Sequence, residues 1–303
     1  MDREALHERI RSLIFASPAL SASFVRGEFR SVFKGRGLDF ESLREYTPDD
    51  DSRLIDWNVS VRYSRPYVRS YREDRSLSLF LLVDRSASMD EGSGECSKAD
   101  MALLAAALLG YAASLRDMPV GGLHFSTRPL VYREPRRGKA AALAFAEYDI
   151  SDASDGGPRR EAGSSAPKAA ALADSLVTVS RLLKRRSLVI VISDWRAPAW
   201  KESLALLARR HDVVAIRVTD ALERGLPRGG AFGVFDPETG ARAELPLQSG
   251  RFRRVWAQFW AADAARIHRV LSECRVARLD LDTAEDPALR LLEFFDARRR
   301  KGT

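Results

Sequence analysis

The sequence has few of the residues that build disulfide frameworks or thiolate metal sites. Of its 303 residues, two are cysteines and four are histidines. The two isolated cysteines, Cys96 and Cys274, exclude a disulfide scaffold and suit a reducing cytoplasm, so a cytoplasmic location is expected. The histidines stand far apart, without the spacing of metal ligands, at His7, His124, His211 and His268.

A long hydrophobic run is also lacking. The longest apolar stretch is Met101–Leu115, which is bounded closely by Asp100 and Arg116. It is shorter than the roughly 18–20 residues that cross a bilayer. We therefore expect a helix buried in a soluble core and no membrane span, while peripheral membrane association stays open. The first twenty residues carry acids early and do not resemble a signal peptide.

Motifs that hold phosphates or activate nucleophiles are absent from the sequence. There is no P-loop, dinucleotide fingerprint or nucleophile elbow, and no histidine is placed by sequence to activate Ser86. These absences predict a protein that is not an enzyme. The net charge of +7 would suit a nucleic-acid-binding protein, which is one alternative. The basic clusters lack interleaved aromatics, so no nucleic acid is expected as a partner.

Two continuous apolar runs of strand length predict the fold class. Residues 77–83 lead into Asp84, and Ser187–Ile192 lead into Ser193 and Asp194. Strands that are apolar on both faces are typical of a parallel sheet covered by helices. Apolar strands alternate with helical patterns down the chain, so we predict a doubly wound, mainly parallel α/β sheet with helices on both faces. Further strands are predicted at Val120–Phe125, Asp212–Val218 and Val276–Leu281, and a hairpin joins Phe232–Phe235 to Arg242–Leu245.

The pattern predicts two regions. Residues 1–76 form an accessory region, with an amphipathic helix over 1–20 and a small β and loop layer over 24–73. Residues 77–303 form the main α/β domain. The charge-dense motif before the first core strand is interpreted as a network of ion pairs and turn caps with Trp57 packed beneath it. The alternative is a partner-binding surface on the same motif.

The candidate site lies where the apolar strands end. Ligands of open α/β sheets bind beyond the carboxyl ends of the strands. Asp84, Ser86 and Ser88 place three oxygen ligands on one loop, and Asp194 follows the other apolar strand. Oxygen ligands of this kind suit Mg²⁺, with Asp194 holding a metal-bound water. The alternative is that the two serines cap the next helix while Asp84 accepts loop amides.

The segment 84–89 resembles the metal-ion-dependent adhesion site of von Willebrand factor A domains. The chain as a whole is identified as a member of a bacterial family, the domain of unknown function fifty-eight. The resemblance rests on these motifs, quoted in chain order: Gly35-Arg36-Gly37, Leu43-Arg44-Glu45-Tyr46, Ile55-Asp56-Trp57, Asp84-Arg85-Ser86-Ala87-Ser88-Met89, Ile192-Ser193-Asp194 and Asp236-Pro237-Glu238-Thr239-Gly240.

This resemblance implies a von Willebrand factor A-like fold and a function in protein interaction. Members of the family are commonly encoded beside MoxR-type AAA+ ATPases. The expected partners are therefore such an ATPase and its protein clients, in a system that remodels or matures proteins. In adhesion-site domains a carboxylate of the partner completes the coordination of the metal.

One departure from the adhesion-site pattern concerns the metal. The usual site adds a threonine before the helix predicted at Lys168–Lys184, and this chain has Ala169-Ala170-Ala171-Leu172 there. Ser164 or Ser165 could replace the threonine, so the sequence leaves Mg²⁺ binding open. The remaining alternative is a phosphoryl-transfer hydrolase that uses Asp84. Such enzymes need a second aspartate two residues on, where this chain has Ser86.

Overall fold

The computed structural model describes residues 3–14, 18–21, 38–47, 55–73, 77–126, 129–143, 145, 171–228, 231–235 and 242–301. The predicted loop over 151–167 lies outside these residues. So do Ser164, Ser165, Ala169 and Ala170, which the metal argument invoked.

A six-stranded sheet forms the centre of the larger unit. Its strands are β3 (Ser78–Asp84), β4 (Val120–Phe125), β5 (Pro129–Arg136), β6 (Ser187–Ser193), β7 (Asp212–Thr219) and β10 (Ala277–Asp282). They lie in the order β10-β7-β6-β3-β4-β5, and every neighbouring pair is parallel except β4 with the edge strand β5. The predicted doubly wound, mainly parallel α/β sheet is confirmed.

The helices alternate with these strands. They are α1 (Arg3–Ile14), α2 (Trp57–Tyr63), α3 (Lys98–Ser114), α4 (Ala171–Leu182), α5 (Lys201–Arg210), α6 (Ala221–Arg224), α7 (Gly250–Glu273) and α8 (Pro287–Lys301). Short helical pieces also occur at 18–21 and 139–143. Within the described ranges, none of the helices has both the length and the apolar character needed to cross a bilayer.

Both faces of the sheet are covered, which explains why its central strands are apolar throughout. Leu79, Leu81 and Val83 of β3 pack into a core with α1, α3 and α8. Phe80 and Leu82 of the same strand point to the opposite core, with α4, α5 and α7. Successive side chains of a strand alternate between faces, so a strand buried on both sides needs an unbroken apolar run.

The chain divides into two compact units. The larger unit comprises Met1–Phe29 with Leu77–Thr303, and the smaller comprises Arg30–Ser76. Helix α1 belongs to the larger unit because Leu6 and Ile10 are buried in the core around α3. The predicted division into an accessory region over 1–76 and a main domain over 77–303 stays a prediction.

The smaller unit contains β1 (Leu38–Glu45), which pairs antiparallel with β2 (Tyr67–Glu73), and the helix α2. Asp56 caps α2 by accepting hydrogen bonds from the amides of Asn58 and Val59, at 3.0 and 3.4 Å. The predicted turn-capping role is thus confirmed for Asp56. The prediction that Trp57 packs beneath the charged motif is wrong, since its side chain is 67% exposed.

The predicted hairpin is confirmed, because β8 (Ala231–Phe235) pairs antiparallel with β9 (Arg242–Pro246). Helix α7 buries Ile267 fully, as its pattern predicted. On the same helix, Phe259 is 62% exposed.

Candidate functional site

Two carboxylates meet at the carboxyl edge of the sheet. Strands β3 and β6 are parallel neighbours, and Val83 pairs with Ile192 one residue before the strands end. Asp84 is the last residue of β3, and Asp194 follows the last residue of β6 directly. Each is only 4% exposed. The predicted position of both acids, at the same end of adjacent parallel strands, is confirmed.

The Asp84 carboxylate is held at both oxygens. Its Oδ1 accepts a hydrogen bond from the Ser86 amide at 2.8 Å, and its Oδ2 accepts one from the Ser193 hydroxyl at 2.5 Å. Ser193 Oγ in turn accepts a hydrogen bond from the Trp195 amide at 3.1 Å. Burial, together with the nearby charge of Asp194, raises the pKa of Asp84 to about 6. The carboxylate is therefore oriented rigidly by the loops on either side.

Ser86 and Ser88 lie beyond Asp84 and are half-buried. Their hydroxyl oxygens are 3.1 Å apart and hydrogen-bond to each other. Ser86 precedes a short 3₁₀ turn, but its side chain makes no capping bond there. Ser97 caps the following helix α3 in a capping box with Asp100. The alternative role of the two serines as caps of that helix is therefore wrong, whereas Asp84 does accept a loop amide.

Asp194 has one satisfied oxygen and one that lacks a hydrogen bond. Its Oδ1 accepts a hydrogen bond from the Arg196 amide at 3.1 Å. Its Oδ2 is buried without a hydrogen-bond partner. That oxygen lies 3.8 Å from Nζ of Lys98 and 3.6 Å from Nε of Arg196. The environment of Asp194 is therefore set by two cationic side chains.

Lys98 is the most unexpected residue at this edge, because its side chain is fully buried. Its Nζ lies 3.1 Å from Oε2 of Glu91 and 3.1 Å from Oε1 of Glu223. Arg196 contacts the same two carboxylates, at 3.2 Å and 2.6 Å respectively. These residues (Glu91, Lys98, Asp194, Arg196 and Glu223) are called the ion cluster below. Buried charges persist only when they are paired in this way.

Aromatic packing extends the ion cluster to helix α7. The guanidinium carbon of Arg196 lies 4.2 Å from the centre of the Trp260 ring, which is cation–π geometry. Trp256, one turn earlier, donates a hydrogen bond from Nε1 to the carbonyl of Leu222 at 2.7 Å. Leu222 lies in α6 beside Glu223. Helices α6 and α7 therefore hold the cations and acids of the cluster in place.

Asp220, at the end of β7, ties further loops to the same edge. Its Oδ2 accepts hydrogen bonds from the Ser93 amide at 2.9 Å and from the Thr283 hydroxyl at 2.8 Å. Ser93 lies in the loop after β3, and Thr283 follows β10. The loops after three strands are thus fastened to one another by a single carboxylate.

Sequence reasoning did not find the ion cluster. A signal existed, because Lys98 stands in the first turn of a helix whose other residues predicted burial on all sides. A lysine in such a helix needs acidic partners. Those partners, Glu91 and Glu223, are 7 and 125 positions away along the chain, so no local pattern could identify them.

The protein-family model described as Protein of unknown function DUF58 matches residues 42–266. This match spans well over half of the sequence and includes Asp84, Ser86, Ser88, Asp220 and the whole ion cluster. The chain belongs to the DUF58 family. The membership predicted from the motifs is therefore confirmed.

Relatives of this DUF58 chain occur in mycobacteria. The protein Rv1480 of Mycobacterium tuberculosis is 30% identical over 301 residues, which cover 99% of this chain and 92% of the relative. MAV169 of Mycobacterium avium is 32% identical over 130 residues, or 43% of this chain and 76% of the relative. Among solved structures, BatB of Bacteroides thetaiotaomicron aligns with a TM-score of 0.43 at 13% identity, covering 74% of this chain and 99% of that one.

In the candidate site of the DUF58 chain, the donor atoms fit a magnesium ion only on the side of Ser86 and Ser88. Ligands about 2.1 Å from Mg²⁺ in an octahedron lie about 3 Å apart, and the hydroxyl oxygens of Ser86 and Ser88 are 3.1 Å apart. On the other side, however, the free oxygen of Asp194 faces Lys98 and Arg196. The described residues contain no group of three or more His, Cys, Asp or Glu side chains arranged for a metal. The two cations near Asp194 disfavour a further cation at that oxygen. The role of Asp194 in holding a metal-bound water, and Mg²⁺ binding itself, stay predictions.

Proposed function

We propose that this protein is a non-enzymatic interaction module that binds a MoxR-type AAA+ ATPase and its protein clients through the carboxyl edge of its sheet. The observation that carries the proposal is the half-buried Ser86–Ser88 hydroxyl pair, presented on a rigidly held strand end. Hydroxyls that are accessible and oriented can bond a carboxylate or amide of a partner without rearrangement.

The surroundings of the hydroxyl pair favour binding over catalysis. Ser86 Oγ is bonded to Ser88, so the general base that a nucleophilic serine requires is not its partner. Both oxygens of Asp84 already accept hydrogen bonds, which disfavours Asp84 as an acceptor of a phosphoryl group. Position 86 also lacks the second aspartate of phosphoryl-transfer enzymes. These features support an interaction surface over the hydrolase alternative.

The experiment is a binding titration with a MoxR-type AAA+ ATPase of the native host. Ser86→Ala and Ser88→Ala should each weaken binding by about tenfold, which is the effect of losing one hydrogen bond of about 1.4 kcal/mol. Ser272→Ala, an exposed serine at the far end of α7, is the matched control and should bind like the natural protein. Each variant should keep its melting midpoint, because a half-buried hydroxyl contributes little to the core.

Full binding by both serine variants and by Asp84→Ala would place the partner surface elsewhere on the chain. Turnover of ATP or a phosphate monoester that disappears in Asp84→Asn would support the hydrolase alternative. Retention of nucleic acid that weakens steeply with salt would support the nucleic-acid alternative.

A further inference from the structure

The charges of the ion cluster balance when one more arginine is included. Arg217 NH2 lies 3.9 Å from Oε2 of Glu223 and is itself buried. Three carboxylates, on Glu91, Asp194 and Glu223, then face three cations, on Lys98, Arg196 and Arg217. With each of them ionised, these six side chains have no net formal charge; Glu91 is partly exposed, and the other five are mostly or fully buried. No added cation is therefore needed to balance the charges of these six side chains.

Lys98 has the central position in this arrangement. Lys98 and Arg196 both lie within 4 Å of all three carboxylates. Of these two cations only Lys98 has a fully buried side chain, since that of Arg196 is 25% exposed. An ammonium is a compact point charge with three donors, and so can occupy the place that a small hydrated cation would take. Its stem leaves the first turn of α3. Glu91 and Asp194 come from the loops after β3 and β6, and Glu223 comes from the short helix α6 after β7.

We propose that the Lys98 ammonium is a resident cation that replaces a divalent metal ion at the carboxyl edge. It holds the segments after β3, β6 and β7 together by charge, so the edge keeps its shape without metal. Removing the ammonium leaves one uncompensated negative charge in a buried pocket lined by carboxylates. That pocket is then a site for Mg²⁺, which the natural protein does not need.

The test compares Lys98→Met with Lys201→Met by scanning calorimetry of the full chain, in EDTA and in Mg²⁺. Methionine keeps the length of the lysine stem without its charge. Lys201 is the matched control, because it is half-exposed and pairs with one acid, Glu273. Removing one partner of a buried ion group should lower the midpoint of Lys98→Met by roughly 10 °C in EDTA. The control should change little, because exposed ion pairs contribute little to stability.

Magnesium gives the deciding measurement. At about 5 mM Mg²⁺, well above the expected dissociation constant, Lys98→Met should regain several degrees. The natural protein and Lys201→Met should gain none. A natural protein stabilised by Mg²⁺ as much as Lys98→Met would overturn the proposal, as would a Lys98→Met midpoint equal to that of Lys201→Met.

A second variant covers the case in which Lys98→Met does not fold. Lys98→Met with Glu223→Gln removes one cation and one carboxylate together, so the charge balance returns. The double variant should fold, melt above the single variant and ignore Mg²⁺. Failure of the double variant to recover any stability over Lys98→Met would show that packing, and not charge, is the role of Lys98. The result does not depend on any partner, so it is independent of the function proposed above.

Discussion

The interior of the sheet and its carboxyl edge are stabilised by different means. In β3, Leu79 to Val83 are inaccessible to solvent, and helix α3 beside them is apolar on all sides. Seven residues beyond the strand, at Glu91, the chain begins to contribute to a group of paired ions. The interior depends on volume and shape, while the edge depends on each charge keeping its partner.

Along one strand, the apolar interior residues serve stability, whereas the polar residues at the strand end are those proposed to serve function. A close-packed apolar interior tolerates no new volume, and its residues have no polar atoms to offer a partner. The edge carries oriented carboxylates and hydroxyls that cost stability to bury, and it retains them. Polar groups kept in such surroundings are the basis of the binding role proposed above for the edge.

The largest effect should come from adding one carbon to the interior. A Cβ on Gly122 of β4 would lie 2.3 Å from the Phe145 ring and 2.7 Å from the carbonyl oxygen of Leu81. The second contact is with the backbone of a neighbouring strand and cannot be relieved by a side-chain rotation. Gly122→Ala should cost about 3–5 kcal/mol, measured by urea unfolding. Gly94→Ala is the control, since nothing lies within 4 Å of its added Cβ; equal midpoints for the two variants would contradict the close packing.

At the edge, neutralising an acid should stabilise the protein. Because burial and Asp194 raise the pKa of Asp84 to about 6, the folded protein keeps a proton between about pH 4 and 6 that the unfolded chain has released. The natural protein therefore loses stability as pH rises through this window. Asp84→Asn lacks this loss and should be more stable at pH 7, by up to about 2–3 kcal/mol. The two proteins should differ little at pH 4, and a constant difference across the range would refute the shift.

His211 lies outside the carboxyl edge. It should make the stability of the protein depend on pH in the direction opposite to that of Asp84. Its imidazole is buried, and both ring nitrogens lack hydrogen bonds. Burial, with the charges of Arg210 and Arg186, lowers its pKa to about 4. Between about pH 4 and 6.5 the unfolded chain binds a proton that the folded chain rejects, so acidification destabilises the protein in this window. His211→Leu should remove that loss.

Urea midpoints measured from pH 4 to pH 7 would separate the two groups. Their dependences oppose each other in the natural protein. Stability of His211→Leu should therefore fall as pH rises, whereas stability of Asp84→Asn should rise. Parallel curves for both variants and the natural protein would mean that neither group titrates as its surroundings indicate.

The smallest effect should come from an ion pair in the smaller unit. Arg65 NH1 and Glu45 Oε1 are 2.9 Å apart, but both side chains are more than half exposed. Water already solvates both charges, so their pairing adds little. Arg65→Gln should leave the melting midpoint unchanged within error. A midpoint shift as large as that of Lys98→Met would show that exposure does not distinguish the two kinds of ion pair.

Several elements could be predicted because their causes are local. The apolar runs that end at Asp84 and Ser193 predicted buried parallel strands, and two such strands bring their terminal acids to one edge. The small unit was harder, because short segments with few apolar residues have no clear period. Helix α2 was therefore missed and Trp57 was placed inside, although it is 67% exposed.

The sequence by itself determined the family, the parallel sheet and the positions of Asp84, Ser86, Ser88 and Asp194 at its carboxyl edge. These follow from motifs and from hydrophobic periodicity, which act over a few residues. The tertiary structure alone decided that Lys98 lies fully buried among Glu91, Asp194 and Glu223. Whether a buried charge is tolerated depends on side chains that only folding brings within a few ångströms, and no local pattern of residues specifies that distance.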